Sequence, residues 1–374
     1  MQTESKQPHT SLLRGRKKVF AGMSGGVDSS VSAYLLKKQN YDVVGVFMRC
    51  YNLDGCSEQD AEDARRAAEK IGRPFYVWDF SGEYKRRVVD YMVSGYRAGL
   101  TPNPDVMCNK EIKFGIFLEK ALAAGADFIA TGHYARLKKR ADGETRIFQG
   151  RDRNKDQTYF LWKLNQKELS RCLFPVGNLR KKTVRAIARK VGLANAEKKD
   201  SQGICFLGKI KLFDFLKKYI PEKTGSVVTV DGEKVGEHHG VWFYTIGQRH
   251  FDFSPKKNTG SGREEKGPYY VAAKDVGNNV LIVAEGGDDP ALFRKEIKLR
   301  EINFTRPIGS NPAGLDVFCR VRYRQPLFRA KLELGEKSEG KLHLRKPQRF
   351  VAEGQSAVFY SRWGELLGGG VIAG

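Results

Sequence analysis

Acidic residues are scarce in this chain relative to basic ones. Of 374 residues, 43 are Asp or Glu against 66 Lys or Arg, a formal net charge of +23. An excess of that size attracts polyanions at long range, so nucleic acid is the expected partner. Long apolar runs are missing too. Nothing approaches the roughly 18–20 consecutive apolar residues that span a bilayer, and no basic amphipathic helix stands out, so no membrane partner is expected. Residues 1–17 lack the apolar segment of a secretory signal and read as a basic tail. The six cysteines (Cys50, Cys56, Cys108, Cys172, Cys205, Cys319) are widely and irregularly spaced, with no Cys-x-x-Cys. That argues against a zinc ribbon, a thioredoxin-type pair or an iron–sulfur site, and no metal held by the protein alone is expected. A chain this long needs no disulfides to fold, and most of its cysteines read as small buried hydrophobes. A monomer in the cytoplasm is the expectation.

What is present falls into two halves. Short apolar runs at Val19–Ala21, Tyr41–Met48, Phe75–Trp78 and Asp127–Thr131 alternate with helical spacing, as in Val27, Val31, Tyr34, Leu35 and in Ala61, Ala64, Ala68, Ile71. Further helices are expected near 83–99 and 112–124. Such alternation predicts an α/β domain with a doubly wound parallel sheet. After Pro221 the runs are short and β-like. Val227–Val230 leads into Asp231-Gly232, and Gly277-Asn278-Asn279 separates two others, both hairpin signals. The expected division is a tail (1–17), an α/β domain (18–219), a central β-rich domain (220–289) and a C-terminal β-barrel (290–374), with linkers near 219–225 and 286–290.

The most informative segment is Gly22-Met23-Ser24-Gly25-Gly26-Val27-Asp28-Ser29, between a strand and a helix. Ligands of open α/β sheets bind beyond the carboxyl ends of strands. Gly25 and Gly26 let backbone N–H groups converge, the helix start adds about +0.5 charge, and the serines add hydroxyl donors. Together they suit a pyrophosphate. No Lys-Ser/Thr follows at Walker A spacing, and Gly-x-Gly-x-x-Gly is absent. Asp28 either helps hold Mg²⁺ with the departing pyrophosphate or caps the helix.

Two cysteines lie in distinctive surroundings. Asn103-Pro104-Asp105-Val106-Met107-Cys108-Asn109-Lys110 is expected to be extended, held so by Pro102 and Pro104. Lys110 would lower the thiol pKa of Cys108; the residues alone leave a reactive thiol and a buried filler equally open. Asp200-Ser201-Gln202-Gly203-Ile204-Cys205-Phe206-Leu207 follows the charged stretch Glu197-Lys198-Lys199, and Cys205 is a candidate nucleophile on the same open terms.

Ser-Gly-Gly-Val-Asp-Ser resembles the PP-loop of the ATP pyrophosphatases, which cleave ATP between the α and β phosphates and adenylate a substrate. With the two cysteine segments, Thr131–Arg136, Lys155–Tyr159, Tyr244–Arg249, Arg322–Arg324 and Gly354–Val358, nearly the whole chain after residue 17 resembles the tRNA-specific 2-thiouridylases. The resemblance implies an adenine nucleotide alpha hydrolase-like fold and ATP-dependent 2-thiolation of the wobble uridine in tRNA. ATP would adenylate the C2 oxygen. A persulfide on Cys205, charged by a sulfur donor protein, would deliver sulfur, and Cys108 would resolve the intermediate through a Cys108–Cys205 disulfide. Asp105 would shuttle a proton. Gly22 to Ser29, Met48 and Gly132 would hold the nucleotide, with Mg²⁺ on the pyrophosphate. Asn103, Pro104, Asp105, His133, Lys155, Asp156, Gln157, Arg322, Tyr323 and Gln355 would meet tRNA.

Residues 320–349 hold ten Lys or Arg against three Glu, which suits a phosphate-tracking face, and Tyr323 between arginines could stack a base. The chain departs from the family pattern after Gly247-Gln248-Arg249, where His250-Phe251-Asp252-Phe253 and a polar insertion to Gly267 replace a glycine-rich run. That puts the tRNA contact of the central domain in question. Cys50 and Cys56 receive no role. The competing readings are another PP-loop enzyme, such as a tRNA-lysidine ligase or an amide-forming synthetase, and a non-catalytic RNA-binding protein.

Overall fold

Strand β1 (Lys18–Gly22) is buried along nearly its whole length, as a central parallel strand covered on both faces must be. The computed structural model describes residues 15–51, 56–200, 210–249, 254–255, 268–308 and 314–374. Around β1 stand β2 (Asp42–Arg49), β3 (Phe75–Asp79) and β4 (Phe128–Ala130). An antiparallel ribbon of β5 (Ala135–Lys139) and β6 (Thr145–Gln149) precedes β7 (Cys172–Leu173). The five-stranded sheet has the order β3-β2-β1-β4-β7, every pair parallel. Strand order therefore reverses between β1 and β4, which opens a crevice beyond their carboxyl ends.

Alternation along β1 sends Val19 and Ala21 to one face and Phe20 to the other. The first face packs under helices Val27–Lys38, Cys56–Ile71 and Lys181–Val191 through Val31, Leu36, Ala64, Ala68, Val184 and Ala188. The second face meets the helical stretches 81–97 and 104–123 through Met92, Ile112 and Phe117.

One expectation is corrected here. The 103–110 segment is not extended. Asn103 caps a helix, its Oδ1 accepting from the Val106 N–H at 3.3 Å, and Pro104 takes the first helical position, where a missing N–H costs nothing. The helix runs on from Pro104–Met107 into a π-helical stretch, Cys108–Ile116, and then Phe117–Ala123. Wide turns of this kind recur at functional sites.

The central unit is a five-stranded sheet of β8 (Gly225–Thr229), β9 (Lys234–His238), β10 (Ser254–Pro255), β11 (Tyr269–Asp275) and β12 (Val280–Glu285), ordered β10-β9-β8-β12-β11. Both expected hairpins form, β8–β9 and β11–β12. The last unit is a closed barrel of β13 (Phe293–Phe304), β14 (Leu315–Arg320), β15 (Phe328–Leu334), β16 (Gly340–Arg349), β17 (Ser356–Tyr360) and β18 (Leu366–Ile372). Closure leaves its sheet without an edge. Its docking on the α/β domain is polar and specific. Trp162 Nε1 donates to Ser356 Oγ at 3.0 Å, and Tyr159 Oη to the Ser356 carbonyl at 3.0 Å. The Thr101 N–H donates to the Glu353 carbonyl at 2.7 Å. Among the described residues no helix is long and apolar enough to cross a membrane.

Candidate active site and nucleic-acid interface

The loop after β1 lies in the β1–β4 crevice. The Met23 N–H donates to the Val46 carbonyl at 2.8 Å, which holds the loop onto β2. Gly25 has φ +74, and a Cβ there would stand 2.4 Å from the Asp60 carbonyl oxygen, so only glycine fits. Ser29 Oγ accepts from the Ser24 N–H at 3.1 Å and donates to the Gly26 carbonyl at 3.0 Å. Asn195, a residue that sequence reasoning passed over, donates from Nδ2 to the Gly25 carbonyl at 2.9 Å and to Ser30 Oγ at 3.0 Å. The loop is thus fixed by its own side chains and by a buried amide. The N-cap, Gly26, has no side chain to cap the first turn, and the first-turn N–H groups are the ones a helix leaves without partners in the ladder.

The segment after β4 closes the other wall. A Cβ on Gly132 would stand 2.7 Å from the Ser29 backbone nitrogen, so the two loops touch backbone to backbone. Met48, half-buried at the end of β2, lies close under Gly22. Asp28 does not cap the helix. Both its oxygens accept from Lys181 Nζ, at 2.8 and 2.7 Å, and Oδ1 also accepts from Tyr134 Oη at 2.7 Å. Lys181 Nζ also lies 2.6 Å from Asp200 Oδ1. Asp200 in turn accepts from Lys155 and lies 3.3 Å from Arg185. Burial pushes the Asp200 carboxyl up, but the hydrogen bonds from Lys155 and Lys181 outweigh it and hold the pKa below the usual value. Asp200 reads in the sequence only as the start of the Cys205 segment, and Lys181 is not legible as part of the site. Lys181 sits in an ordinary run of basic residues, and only the fold brings it to the loop.

His133 is 6% exposed, between Phe114 and Phe174 at ring distances of 5.7 and 5.9 Å, with Nδ1 2.7 Å from Thr131 Oγ1. Burial holds its pKa well below the ordinary histidine value, and Lys113 adds to this, so the ring is neutral at pH 7. Phe114 belongs to the π-helical stretch that begins at Cys108. The crevice and the Cys108 helix are therefore neighbours through His133.

Cys108 is 3% exposed, and Asp105 is half-buried one turn before it. Lys110, two residues on, forms an ion pair with Glu168, Nζ to Oε1 at 2.7 Å. Asn109 donates from Nδ2 to the Phe160 carbonyl at 3.2 Å, while its Oδ1 is buried with no hydrogen-bond partner. Cys205 and its segment lie outside the described residues, and the expected Cys108–Cys205 pairing with them. Of the other thiols, burial raises those of Cys172 and Cys319, as structural fillers require.

Family models match the chain in three consecutive parts: a tRNA methyl transferase HUP domain (residues 17–209), a tRNA methyl transferase PRC-barrel domain (213–285) and an aminomethyltransferase beta-barrel domain (294–372). The chain is 44% identical over 368 residues to the tRNA-specific 2-thiouridylase MnmA of Streptococcus mutans, covering 96% of this chain and 95% of that one. It is 45% identical over 370 residues to the same enzyme of Streptococcus thermophilus, with the same coverage. With the enzyme of Streptococcus agalactiae it shares 45% identity over 365 residues, 95% of each chain. The chain belongs to the tRNA-specific 2-thiouridylase family.

The residues that the 2-thiouridylase resemblance assigns to tRNA divide in two. Arg322 is exposed, with its guanidinium 5.7 Å from the Phe350 ring centre. Tyr323 lies 4.5 Å from Phe160 between ring centres, under Arg324 at 5.2 Å. Phe160 is the residue whose carbonyl Asn109 holds, so Tyr323 stands next to the Cys108 helix. The rest are engaged internally. Asp156 is 2% exposed and accepts from Gln149 Nε2, the Gly150 N–H and Thr158 Oγ1, which makes 155–157 a buried anchor rather than a solvated turn. Gln157 Oε1 accepts from the Tyr134 N–H at 3.0 Å. Gln355 Nε2 donates to the Thr101 carbonyl at 2.9 Å, tying the barrel to the turn before Asn103. These three side chains brace the surrounding loops from within the protein.

Proposed function

We infer that this chain carries out ATP-dependent 2-thiolation of the wobble uridine of tRNA. The observation that carries the reading is the glycine–serine loop in the β1–β4 crevice, on a chain related end to end to 2-thiouridylases. The first-turn N–H groups and Ser24 would receive the β and γ phosphates of ATP. The uridine C2 oxygen attacks the α-phosphorus, pyrophosphate departs, and the poor leaving oxygen becomes AMP. The terminal sulfur of a Cys205 persulfide then attacks C2 and expels AMP. Cys108 thiolate attacks the Cys205 sulfur, breaks the S–S bond and leaves the transferred sulfur on C2. The resulting Cys108–Cys205 disulfide needs a two-electron thiol reductant before the next turnover. Asp105, one turn from Cys108, is suited to take and return the proton.

Mg²⁺ fits only as a passenger on the phosphates. The Asp28 oxygens are already taken by Lys181 and Tyr134, and among the described residues no group of three His, Cys, Asp or Glu gathers to hold a metal. A cytoplasmic tRNA pool, a monomeric enzyme and a protein sulfur donor belong to the same reading.

The test uses purified protein, tRNA, ATP and a persulfide donor. Cys205→Ser is expected to abolish 2-thiouridine, read by mass spectrometry of the tRNA, while tRNA-dependent pyrophosphate release continues. Surviving thiolation would remove Cys205 as the sulfur carrier. Absence of pyrophosphate release from the wild type would sink the adenylation step itself.

A further inference from the structure

The exterior of the C-terminal barrel carries an arrangement that the anticodon-facing residues do not account for. One step beyond the registered pair Ala330–Leu344, Arg329 on β15 and Arg345 on β16 come side by side across the strands. Like charges in that position destabilise a sheet. Both are exposed, and neither has a carboxylate partner among the described residues. They line one cleft of about 500 Å³ with Arg306 and Arg362, where Asp316 is the sole acidic residue. The guanidinium of Arg329 lies 5.5 Å from the Phe318 ring centre, a cation–π contact that holds its charge at the cleft wall.

At the rim stands Trp363, 71% exposed, the most exposed large hydrophobic side chain among the described residues. The Arg362 guanidinium sits 4.1 Å from its ring centre, which leaves the rest of the indole to solvent. The turn that carries it is not a loose end. Gly364 has φ +76, and a Cβ there would meet Gln149 Oε1 at 2.8 Å and Arg153 at 3.4 Å. The Gln149 N–H also donates to the Gly364 carbonyl at 2.9 Å. The platform is thus fastened to the stretch that continues into Lys155–Gln157.

We propose that Arg329, Arg345 and Arg362 with Trp363 form a second RNA-binding surface, which takes the sugar–phosphate backbone of the tRNA away from the reacting uridine and stacks one nucleotide on the indole. The occupant is a polyanion because unpaired like charges side by side need one. It is RNA because a solvated indole under a guanidinium offers a stacking face for a base. The proposal rests on tRNA being the substrate and adds a contact outside the anticodon loop.

The experiment measures tRNA affinity of the full-length protein by anisotropy at several salt concentrations. Arg329→Gln/Arg345→Gln is expected to weaken binding about tenfold near 0.1 M salt and to lower the log–log salt slope by about 1.5. Trp363→Ala is expected to lose about tenfold, and Trp363→Phe to recover most of it. ATP affinity should stay at the wild-type value, since none of these residues touches the nucleotide loop, and the thermal midpoint of the double arginine variant should not fall, since it loses a like-charge repulsion. Wild-type affinity and slope in the double arginine variant, or equal binding by Trp363→Ala, would overturn the proposal while leaving the thiolation reading intact. Failure of the wild type itself to bind or thiolate tRNA would instead remove the reading on which it stands.

Discussion

Substituting Gly132 by alanine perturbs the candidate site by one methyl group. The residue has no positive φ, so backbone strain is not the issue. The added Cβ would stand 2.7 Å from the Ser29 nitrogen, 2.9 Å from the Asp28 carbonyl carbon and 3.1 Å from Ser29 Cα. Ordinary contacts of this kind sit near 3.5–4.0 Å, so the wall after β4 and the first turn of the 27–38 helix must part by roughly 0.7–1 Å. These are backbone atoms and cannot swing aside as a side chain would. Ser29 also carries the Ser24 and Gly26 hydrogen bonds, so the whole phosphate cradle shifts with it. A misplacement near 1 Å costs about 10²-fold in rate, or about 2.7 kcal/mol of transition-state stabilisation. The global cost of overpacking is about 1–3 kcal/mol. The assay is tRNA-dependent pyrophosphate release as a function of ATP concentration, beside calorimetric ATP binding and a melting curve. Gly277→Ala is the control, because its Cβ would meet nothing closer than Asp275 Oδ1 at 3.6 Å. A Gly132→Ala enzyme within threefold of wild type in kcat/KM for ATP would refute the claim that backbone contact between the loops sets the cradle.

Lys181→Met removes the ammonium shared by Asp28 and Asp200. Its side chain is 13% exposed, against 27% and 31% for the two carboxylates. Water reaches both acids, so the loss should be about 1–2 kcal/mol rather than that of a fully buried pair. Lys181→Arg should recover most of it, and denaturant unfolding with ATP calorimetry reads both; a methionine variant as stable as wild type would contradict the assignment. His133 sets a pH dependence. Its folded pKa is depressed, so the unfolded chain binds the proton first, and the contribution is present above about pH 6.5 and lost as pH falls. Stability should therefore fall by up to about 1.4 kcal/mol per pH unit below 6.5 through this residue. The Phe variant should show a shallower slope in urea unfolding between pH 7.5 and 5.5, and an unchanged slope would mean that the ring is not held neutral.

The legible parts of the molecule were those with local causes. Strand β1, its loop and its helix follow from an apolar run, two adjacent glycines and helical spacing. The hairpins at 225–238 and 269–285 follow from turn residues. The 103–110 segment was misjudged because Pro104 can either extend a chain or start a helix. What decides is whether the preceding residue can cap, and Asn103 does. Asp28 was left between two roles, since a residue one place inside a helix start differs little from a cap in sequence. Lys181 and Asn195 were beyond reach. Both come to the loop from more than 150 positions away, at contacts that no local pattern announces.

An aspartate inside an anion-binding loop looks self-defeating, because it places negative charge where phosphates must come. The geometry resolves this. Asp28 does not face the cradle unopposed, since Lys181 neutralises it on both oxygens and Tyr134 donates a third hydrogen bond. The helix start then keeps its positive end. The same ammonium holds Asp200, the last described residue before the segment that carries Cys205, and Asp200 also takes Lys155. One lysine thus sets the charge of the nucleotide loop and anchors the chain on the approach to the second cysteine. A triphosphate that drew Lys181 toward itself would weaken its hold on both acids at once. Asp200 would then be left to Lys155 and Arg185, so occupancy of the nucleotide loop and the position of the 155–157 anchor share a common term in their energetics.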